Sequence, residues 1–414
     1  MFNCLKEKYA ASDKIIIYSS ILIYLFYRAD SGVCIFFRDL NCSFSSQSII
    51  VMIDNIYFRL LRLAPVISNP VLVTITETEG STPQKAGNSA IFSNRGLIAG
   101  TVGGGLAERR VQELAIEYAG TGKSSFYHSS FDNTSDDPDE AICGGKVTML
   151  IDADPLRHLD VYRDMEKTIM EEKPGVLATW VSQHEDLSVG IQRFWIKDRP
   201  GDGLPPQVAD ILRPLVSEIL ASQDSNGYVK TELEIPGEKS KHILFLEPVF
   251  PLPKLVIAGA GHIGKALSHL GRLTGFEVTV IDNRKEFANS DNLPEAGRII
   301  VKDIGQAMAE IDKTPDTYIV IVTRGHGCDA DALRPCIGSE AGYVGMIGSR
   351  AKVAKMRSDF ISEGWATEDQ WKRIHSPIGL EIKSETVQEI AVSIMAQLIL
   401  VKNSRKSRQD LSDH

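Results

Sequence analysis

The fold of the carboxyl-terminal half is decided by the stretch Lys254-Leu-Val-Ile-Ala-Gly-Ala-Gly-His-Ile-Gly264. A short segment typical of a buried strand leads directly into a Gly-x-Gly-x-x-Gly turn, and a helical pattern follows it. In such a turn Gly259 permits the sharp bend, Gly261 lets the backbone approach a pyrophosphate, and Gly264 packs helix against strand. The sequence therefore predicts a Rossmann-like domain with a phosphate site at the start of this helix, next to His262.

An acidic residue and a basic residue follow the second predicted strand of this domain. Asp282 lies 18 positions after Gly264, where a Rossmann domain commonly holds a ribose hydroxyl, and Arg284 comes two residues later. We expect Asp282 to repel a 2′-phosphate and to favour NAD over NADP, whereas Arg284 argues for the opposite preference. The alternative is a doubly wound domain that has kept its shape but binds no dinucleotide.

Three later apolar runs extend the predicted parallel sheet, at 298–301, 318–322 and 343–349. Ligands of open α/β sheets bind outside the carboxyl ends of the strands. Arg324 and His326 follow one of these ends, and Ser349 and Arg350 follow another, so we expect all four to face the crevice. The two arginines are candidate anion clamps, although each could equally be a solvated surface cation.

The amino-terminal half contains a second glycine-rich segment. Gly103, Gly104 and Gly105 follow a predicted strand and precede a predicted helix that contains Glu108. Backbone N–H groups at such a position can bind a phosphate or a polar ring. The competing interpretations are tight turns in a strand-rich fold and a Glu108 that merely satisfies the positive end of its helix.

The sequence offers few candidate residues for nucleophilic catalysis or metal binding. Cys143 is followed by Gly144 and Gly145, so no side chain of these two residues shields its thiol. A cysteine whose pKa is not lowered is, however, more often a small buried apolar residue. His326 is a weak acid–base candidate. Because no cysteine or histidine pairs occur at ligand spacing, we expect no metal site made by protein groups alone.

Composition divides the chain into four parts. We assign residues 1–51 to an atypical extension, 52–250 to a glycine-rich domain with a strand-rich connecting region, 254–402 to the Rossmann-like domain and 403–414 to a polar tail. The fold class is therefore an amino-terminal mixed α/β domain followed by a doubly wound parallel sheet.

The extension contains an apolar run at 15–27, which is shorter than a membrane-spanning helix requires. It can be a signal or anchor, a packed extra helix, or a segment outside the working protein. We favour the last and expect it to be dispensable, with Met52 as a possible start.

Charge and cysteine content limit the partners. The chain has 45 Lys plus Arg and 54 Asp plus Glu, a net charge of −9, which disfavours nucleic acid as a general partner. Six cysteines without a Cys-x-x-Cys pair favour a reducing compartment. We therefore expect a cytoplasmic protein without stable membrane insertion.

Seven motifs resemble, in order, those of the XdhC/CoxI family of xanthine dehydrogenase accessory factors. They are 79–84 (Glu-Gly-Ser-Thr-Pro-Gln), 100–108, 143–145, 259–264, 323–326, 345–350 and 377–380. The resemblance covers about residues 52–402. Two places depart from the usual pattern, Arg324-Gly325-His326 and Val387, and they bear on which hydroxylase is served.

The resemblance implies a maturation chaperone rather than a metabolic enzyme. Members are understood to bind molybdenum cofactor, as molybdopterin or its dinucleotide form, support its sulfuration and insert it into a molybdenum hydroxylase. It further implies a cysteine desulfurase as sulfur donor, a homodimer, and a sulfur or molybdenum contact at Cys143. Two glycine-rich cradles, one in each domain, suit a ligand held between them. The alternatives are an NAD(P)-dependent oxidoreductase that uses His326 and a dinucleotide-sensing regulatory protein.

Overall fold

The computed structural model describes residues 55–130, 145–185, 188–197, 206–222, 227–235 and 239–409, together with backbone strands within 17–39. Met1–Met52 and Ile53–His414 form two separate units.

The first unit contains a small antiparallel sheet. Its strands are β1 (Ile17–Tyr18), β2 (Leu22–Ala29) and β3 (Gly32–Asp39), in the order β1-β2-β3. Where this segment is described, the apolar run forms strands, so the packed-helix interpretation of it is wrong. Across the described part of the chain, no helix combines the length and the apolar composition that crossing a membrane requires.

The second unit begins with an antiparallel sheet in the strand order β6-β5-β4-β8-β7. Its elements are α1 (Ile56–Leu63), β4 (Val71–Glu79), β5 (Ser89–Ser93), β6 (Gly96–Gly100), α2 (Gly105–Tyr118), β7 (Ser125–Ser130) and β8 (Lys146–Asp152). Helix α2 covers one face, where Val111 and Ala115 pack against Val71 and Val73 of β4. The β5–β6 hairpin turns between Ser93 and Gly96.

The strand-rich connecting region forms a second antiparallel sheet, in the order β10-β9-β12-β11. A short 3₁₀ helix (Pro155–His158) leads into α3 (Leu159–Met170), β9 (Gly175–Gln183), β10 (Val189–Ile196), α4 (Pro206–Ser222), β11 (Val229–Leu233) and β12 (Lys241–Val249). Leu212 and Val216 of α4 cover one face, and the other face packs on the first sheet through Leu150 of β8.

The third sheet is parallel throughout and has the order β15-β14-β13-β16-β17. Its elements are β13 (Lys254–Ala258), α5 (His262–Leu273), β14 (Glu277–Asp282), β15 (Arg298–Val301), α6 (Ile304–Glu310), β16 (Thr317–Ile321), α7 (His326–Leu333), a 3₁₀ turn (Arg334–Cys336), β17 (Tyr343–Met346), α8 (Arg350–Ser362), α9 (Glu368–Lys372) and α10 (Val387–Gln409). The predicted doubly wound sheet is confirmed.

Helices cover both faces of the parallel sheet. Leu267 of α5 and Met395 of α10 are buried on one face, and Met308 of α6 and Met356 of α8 are buried on the other. Each such side chain contributes about 1.5–3 kcal/mol of hydrophobic stabilisation. Because both faces are filled, the loops at the strand ends are what this domain can offer to a ligand. Helix α10 continues to Gln409, so residues 403–409 extend a helix instead of forming a separate tail.

The two amino-terminal sheets are joined by buried polar groups as well as by apolar contacts. Arg193 of β10 donates to Asp152 at the end of β8, and their side chains are only 1% and 3% exposed. Close by, the Tyr57 hydroxyl of α1 donates to Glu247 of β12 at 2.7 Å. Breaking a buried ion pair by removing one partner costs about 3–5 kcal/mol. The two sheets therefore behave as one folding unit.

We expect Glu247 to make the stability of the chain pH-dependent. Burial raises the pKa of Glu247 to about 7, while the Tyr57 hydrogen bond and the Arg193 charge act in the opposite direction. The protonated carboxyl favours the folded state, so its contribution is complete below about pH 4.5 and is lost as the pH rises through 7. The free energy of unfolding should therefore fall by about 1–3 kcal/mol for this group between pH 5 and pH 8.

Urea unfolding at pH 5, 6, 7 and 8 measures this dependence. Glu247→Gln should flatten the slope, whereas Glu234→Gln, at an exposed position after β11, should leave it unchanged. An unaltered slope in Glu247→Gln would contradict the assignment.

Candidate functional site

The three glycines of the turn after β13 have different structural roles. A Cβ on Gly264 would lie 1.9 Å from the carbonyl oxygen of Gly259, and one on Gly259 would lie 2.5 Å from that of Val322. Packing therefore requires glycine at both positions. Gly261 has an ordinary φ of −72°, and a Cβ there would meet no atom within 4 Å. Neither backbone nor packing demands a glycine at 261, so the open space beside it is where a ligand can approach.

This open glycine lies at the point where the strand order reverses. Strand β13 pairs with β14 on one side and with β16 on the other, and α5 and α7 begin at the carboxyl ends of β13 and β16. The starts of both helices offer backbone N–H groups to an anion. At Gly327, in the first turn of α7, an added Cβ would likewise meet no atom within 4 Å. The crevice thus has backbone exposed on two neighbouring sides.

The predicted crevice residues of the later strands all lie at carboxyl ends. Arg324 follows β16 and Arg350 follows β17, and both are exposed. The Ser349 hydroxyl accepts a hydrogen bond from the Lys352 N–H at 3.3 Å and so caps α8. His326 begins α7, but its side chain lies outside the described residues.

A buried aspartate fixes the geometry of these loops. The carboxylate of Asp329, in α7, accepts from the Thr323 hydroxyl after β16 and from the Lys352 ammonium of α8. The Asp329 side chain is fully buried and Lys352 is partly exposed. This pair joins α7 to α8, the helices that begin just after Arg324 and at Arg350, so the two arginines lie at the same edge of the sheet. No local sequence pattern indicates this pair, because the partners are 23 residues apart.

The Asp282 carboxylate is buried and fully engaged with its own chain. It accepts from the Ala260 N–H at 2.8 Å and from the Arg284 backbone N–H, Nε and Nη2 at 3.0, 2.9 and 2.7 Å. Although burial alone would raise it, these hydrogen bonds hold the pKa of Asp282 below its usual range. The acid that the sequence assigns to a ribose hydroxyl therefore connects the glycine turn to Arg284.

The glycine triplet of the first domain is organised by Glu108. Gly103, Gly104 and Gly105 have φ values of 121°, 73° and 66°, which favour glycine at each position. The Glu108 carboxylate accepts from the Thr101 hydroxyl and from the N–H groups of Val102 and Gly104. Glu108 thus closes the loop at the start of α2, which is the capping role that the sequence left as an alternative.

Three motifs of the first domain meet at one end of its sheet. A Cβ on Gly145 would lie 2.4 Å from the Ser81 carbonyl oxygen, and one on Gly103 would lie 3.5 Å from the Pro83 side chain. The loop at 79–84 therefore lies between the glycine triplet and Gly145. Cys143 and Gly144 lie outside the described residues, so their role stays a prediction.

A polar groove of about 340 Å³ adjoins this meeting point. Lys146 pairs with Glu79 at 3.5 Å across it, and exposed His128 contacts the Thr148 hydroxyl at 3.1 Å. No motif in the sequence marks His128. Only the pairing of β7 with β8, which sets His128 opposite Thr148, brings it to the groove.

An ion pair links the first domain to the parallel sheet. Glu172, just after α3, contacts Lys254 at 2.6 Å. Lys254 begins β13, so this contact lies at the end of the sheet opposite the crevice. A ligand shared between the two glycine-rich cradles stays a prediction. Within the residues that the structure describes, no group of three His, Cys, Asp or Glu side chains is arranged to hold a metal ion.

Both halves of the chain match family models. A Rossmann-type domain with an open glycine at its switch point follows a glycine-rich α/β domain. The XdhC Rossmann domain matches residues 255–398, and the XdhC and CoxI family matches residues 69–130. The chain belongs to the XdhC and CoxI family.

Individual relatives agree with this assignment. A probable xanthine dehydrogenase subunit of Bacillus subtilis is 26% identical over 340 residues, 80% of this chain and 92% of that protein. The protein YqeB of Escherichia coli is 33% identical over 153 residues, 37% of this chain and only 28% of its own length. A crystal structure described as a xanthine dehydrogenase from Bacillus halodurans superposes with a TM-score of 0.66 at 23% identity, covering 84% of this chain and 96% of that one. The last likeness shows the shared fold.

The two described cysteines of the parallel-sheet domain should react very differently. Cys328 is exposed in the first turn of α7, whereas Cys336 is buried and burial raises the pKa of its thiol to about 12. The thiolate is the reactive form of cysteine, and the raised pKa keeps the Cys336 thiol protonated at pH 8. Peptide mapping after iodoacetamide treatment should find Cys328 modified and Cys336 intact. In urea both should react, and equal modification in the folded protein would contradict the burial assigned to Cys336.

Proposed function

We propose that this chain is a cytoplasmic accessory factor that binds molybdenum cofactor as cargo, supports its sulfuration and delivers it to a xanthine dehydrogenase-type hydroxylase. Membership of the XdhC and CoxI family indicates the accessory role. The observation that carries the proposal is Gly261, a glycine required by neither backbone nor packing that opens onto a crevice edged with cations.

The chemistry of the crevice fits this cargo. Molybdenum cofactor is an anionic pterin that carries a phosphate or, in its dinucleotide form, a pyrophosphate. Exposed Arg324 and Arg350 lie at the strand ends, and Lys265 lies in the first turn of α5. In a chain of net charge −9, cations placed around open backbone N–H groups favour a bound anion. These groups and the Gly261 backbone would hold the phosphate end of the cargo.

The first domain would contact the opposite end. The loop at 101–104, closed by Glu108, and the 79–84 loop present backbone close to Gly145, two residues after Cys143. When bound, the cargo supplies the molybdenum centre that a desulfurase partner sulfurates. In this proposal the chain binds and shields the cargo, and its partners are the desulfurase, the client hydroxylase and a second copy of the chain.

The engagement of Asp282 weighs against a conventional NAD enzyme. A ribose diol needs an accessible acceptor, and the Asp282 oxygens already accept hydrogen bonds from Ala260 and Arg284. A carrier that recognises phosphate has no such requirement.

The proposal is tested by assaying pterin in the purified protein. Full-length chain produced in cells that make molybdenum cofactor should release a fluorescent pterin after oxidation. Gly261→Ala should lower the retained pterin about tenfold, equivalent to about 1.4 kcal/mol, because the added methyl blocks close approach of the phosphate. Its melting temperature should change little, since the Cβ meets no protein atom.

Gly190→Ala is the matched control. Gly190 in β10 also has room for a Cβ, with its nearest neighbour at 3.9 Å, and it lies in a different sheet. Retention should be unchanged in this variant. A wild-type protein without pterin, or equal losses in both variants, would overturn the proposal.

A further inference from the structure

The Asp282 carboxylate has no capacity left for a sugar. Four N–H groups donate to its two oxygens, one from Ala260 and three from Arg284. The side chain is 2% exposed. A ribose hydroxyl would have to displace one of these donors and leave it buried without a partner, which costs about 1–3 kcal/mol.

Arg284 keeps a large part of its binding capacity. A guanidinium has five N–H groups, and the bonds from Nε and Nη2 to Asp282 use two of them. The other three lie on the outer edge of a side chain that is 24% exposed. The guanidinium also lies 4.2 Å above the ring of Phe287, so the group is held in a defined plane. A fixed, planar fork of donors matches the oxygens of a phosphate.

The position of Arg284 places this fork beside the crevice. Asp282 ends β14, and its bond to Ala260 connects it to the glycine turn after β13. The pKa of Arg284 is raised mainly by its hydrogen bond to Asp282, with smaller contributions from Glu286 and from Cys328 in the first turn of α7. Arg284 is therefore within electrostatic reach of elements on both sides of the switch point.

We propose that Arg284 binds a phosphate monoester of the ligand and that Asp282 is the positioning residue that holds Arg284 in place. This inference rests on the proposed function and names the group that the crevice selects. It reverses the expectation from sequence, in which Asp282 repels an additional phosphate. The monoester can be the phosphate of the pterin cargo or the 2′-phosphate of a nucleotide, since both present the same oxygens.

Two matched pairs of probes distinguish these sources. One pair is 2′,5′-ADP and 5′-ADP, which differ only in the 2′-phosphate. The other is the fluorescent oxidised pterin of molybdenum cofactor with and without its phosphate. Calorimetry and fluorescence titration on the full chain should show a preference of about tenfold or more for the phosphorylated member of at least one pair.

Substitutions at Arg284 and Asp282 test which side chain produces the preference for the phosphorylated probe. Arg284→Gln should abolish it, and Arg284→Lys should retain part of it because the charge remains without the fork. Asp282→Asn should reduce the ratio between the members of a pair, which a loss of stability alone would not change. Arg298→Gln, at an exposed arginine that begins β15 at the other end of the sheet, should leave the ratio at the wild-type value.

The outcomes separate the two proposals. Equal binding of both members of each pair, or a preference that survives in Arg284→Gln, would overturn the role of Arg284 while leaving cargo binding intact. Failure of the wild-type chain to bind any pterin probe would overturn the proposed function. A preference confined to the nucleotide pair would keep the role of Arg284 and identify a nucleotide as its ligand.

Discussion

The buried carboxylate of Asp282 is the contact on which the loops at the carboxyl ends of β13 and β14 depend. It joins the end of β14 to the glycine turn after β13 through Ala260, and it holds the guanidinium of Arg284 by two parallel hydrogen bonds. Glycines make the turn possible, but they do not by themselves fix its position. The Asp282 carboxylate fixes the position of the turn. Four N–H donors offset the free energy that burying its charge costs.

Two groups of glycine beside the sheets differ in what requires them. Gly259, Gly264 and Gly145 are demanded by the protein itself, because a Cβ would overlap a neighbouring backbone oxygen. Gly261 and Gly327 are demanded by nothing in the chain. A substitution in the first group tests folding stability. A substitution in the second group tests whether a ligand binds beside the glycine. The distinction needs coordinates, since both groups look identical in a sequence motif.

Local periodicity was sufficient to predict most elements of both domains. The strand at 298–301 has the predicted bounds, and the apolar run after Lys254 forms the predicted buried strand before the glycine turn. Helix α5 begins inside the glycine motif, at His262, since Gly261 serves as its N-cap. The glycine motif predicted the doubly wound class of the sheet, whereas the strand order β15-β14-β13-β16-β17 comes from the structure.

What the sequence could not predict depends on long-range pairing and on side-chain direction. Asp152 and Arg193 are 41 residues apart, and nothing local indicates that they meet. Asp282 and Arg284 are neighbours, yet whether an acid faces a ligand or its own arginine is set by rotamers that packing selects. The groove at His128 depends on strand register, which the sequence of one strand does not specify.

The place of β8 in the first sheet limits how this domain can be divided or exchanged between proteins. Strand β8 pairs with β4 along one edge and with β7 along the other, although it follows both in the chain. The segment 69–130, where the family likeness is recognised, ends before β8 begins. On its own that segment would leave two strands with unpaired edges and an open core. A fragment that keeps β4 and β7 paired must therefore extend beyond the matched segment, at least through Asp152 at the end of β8.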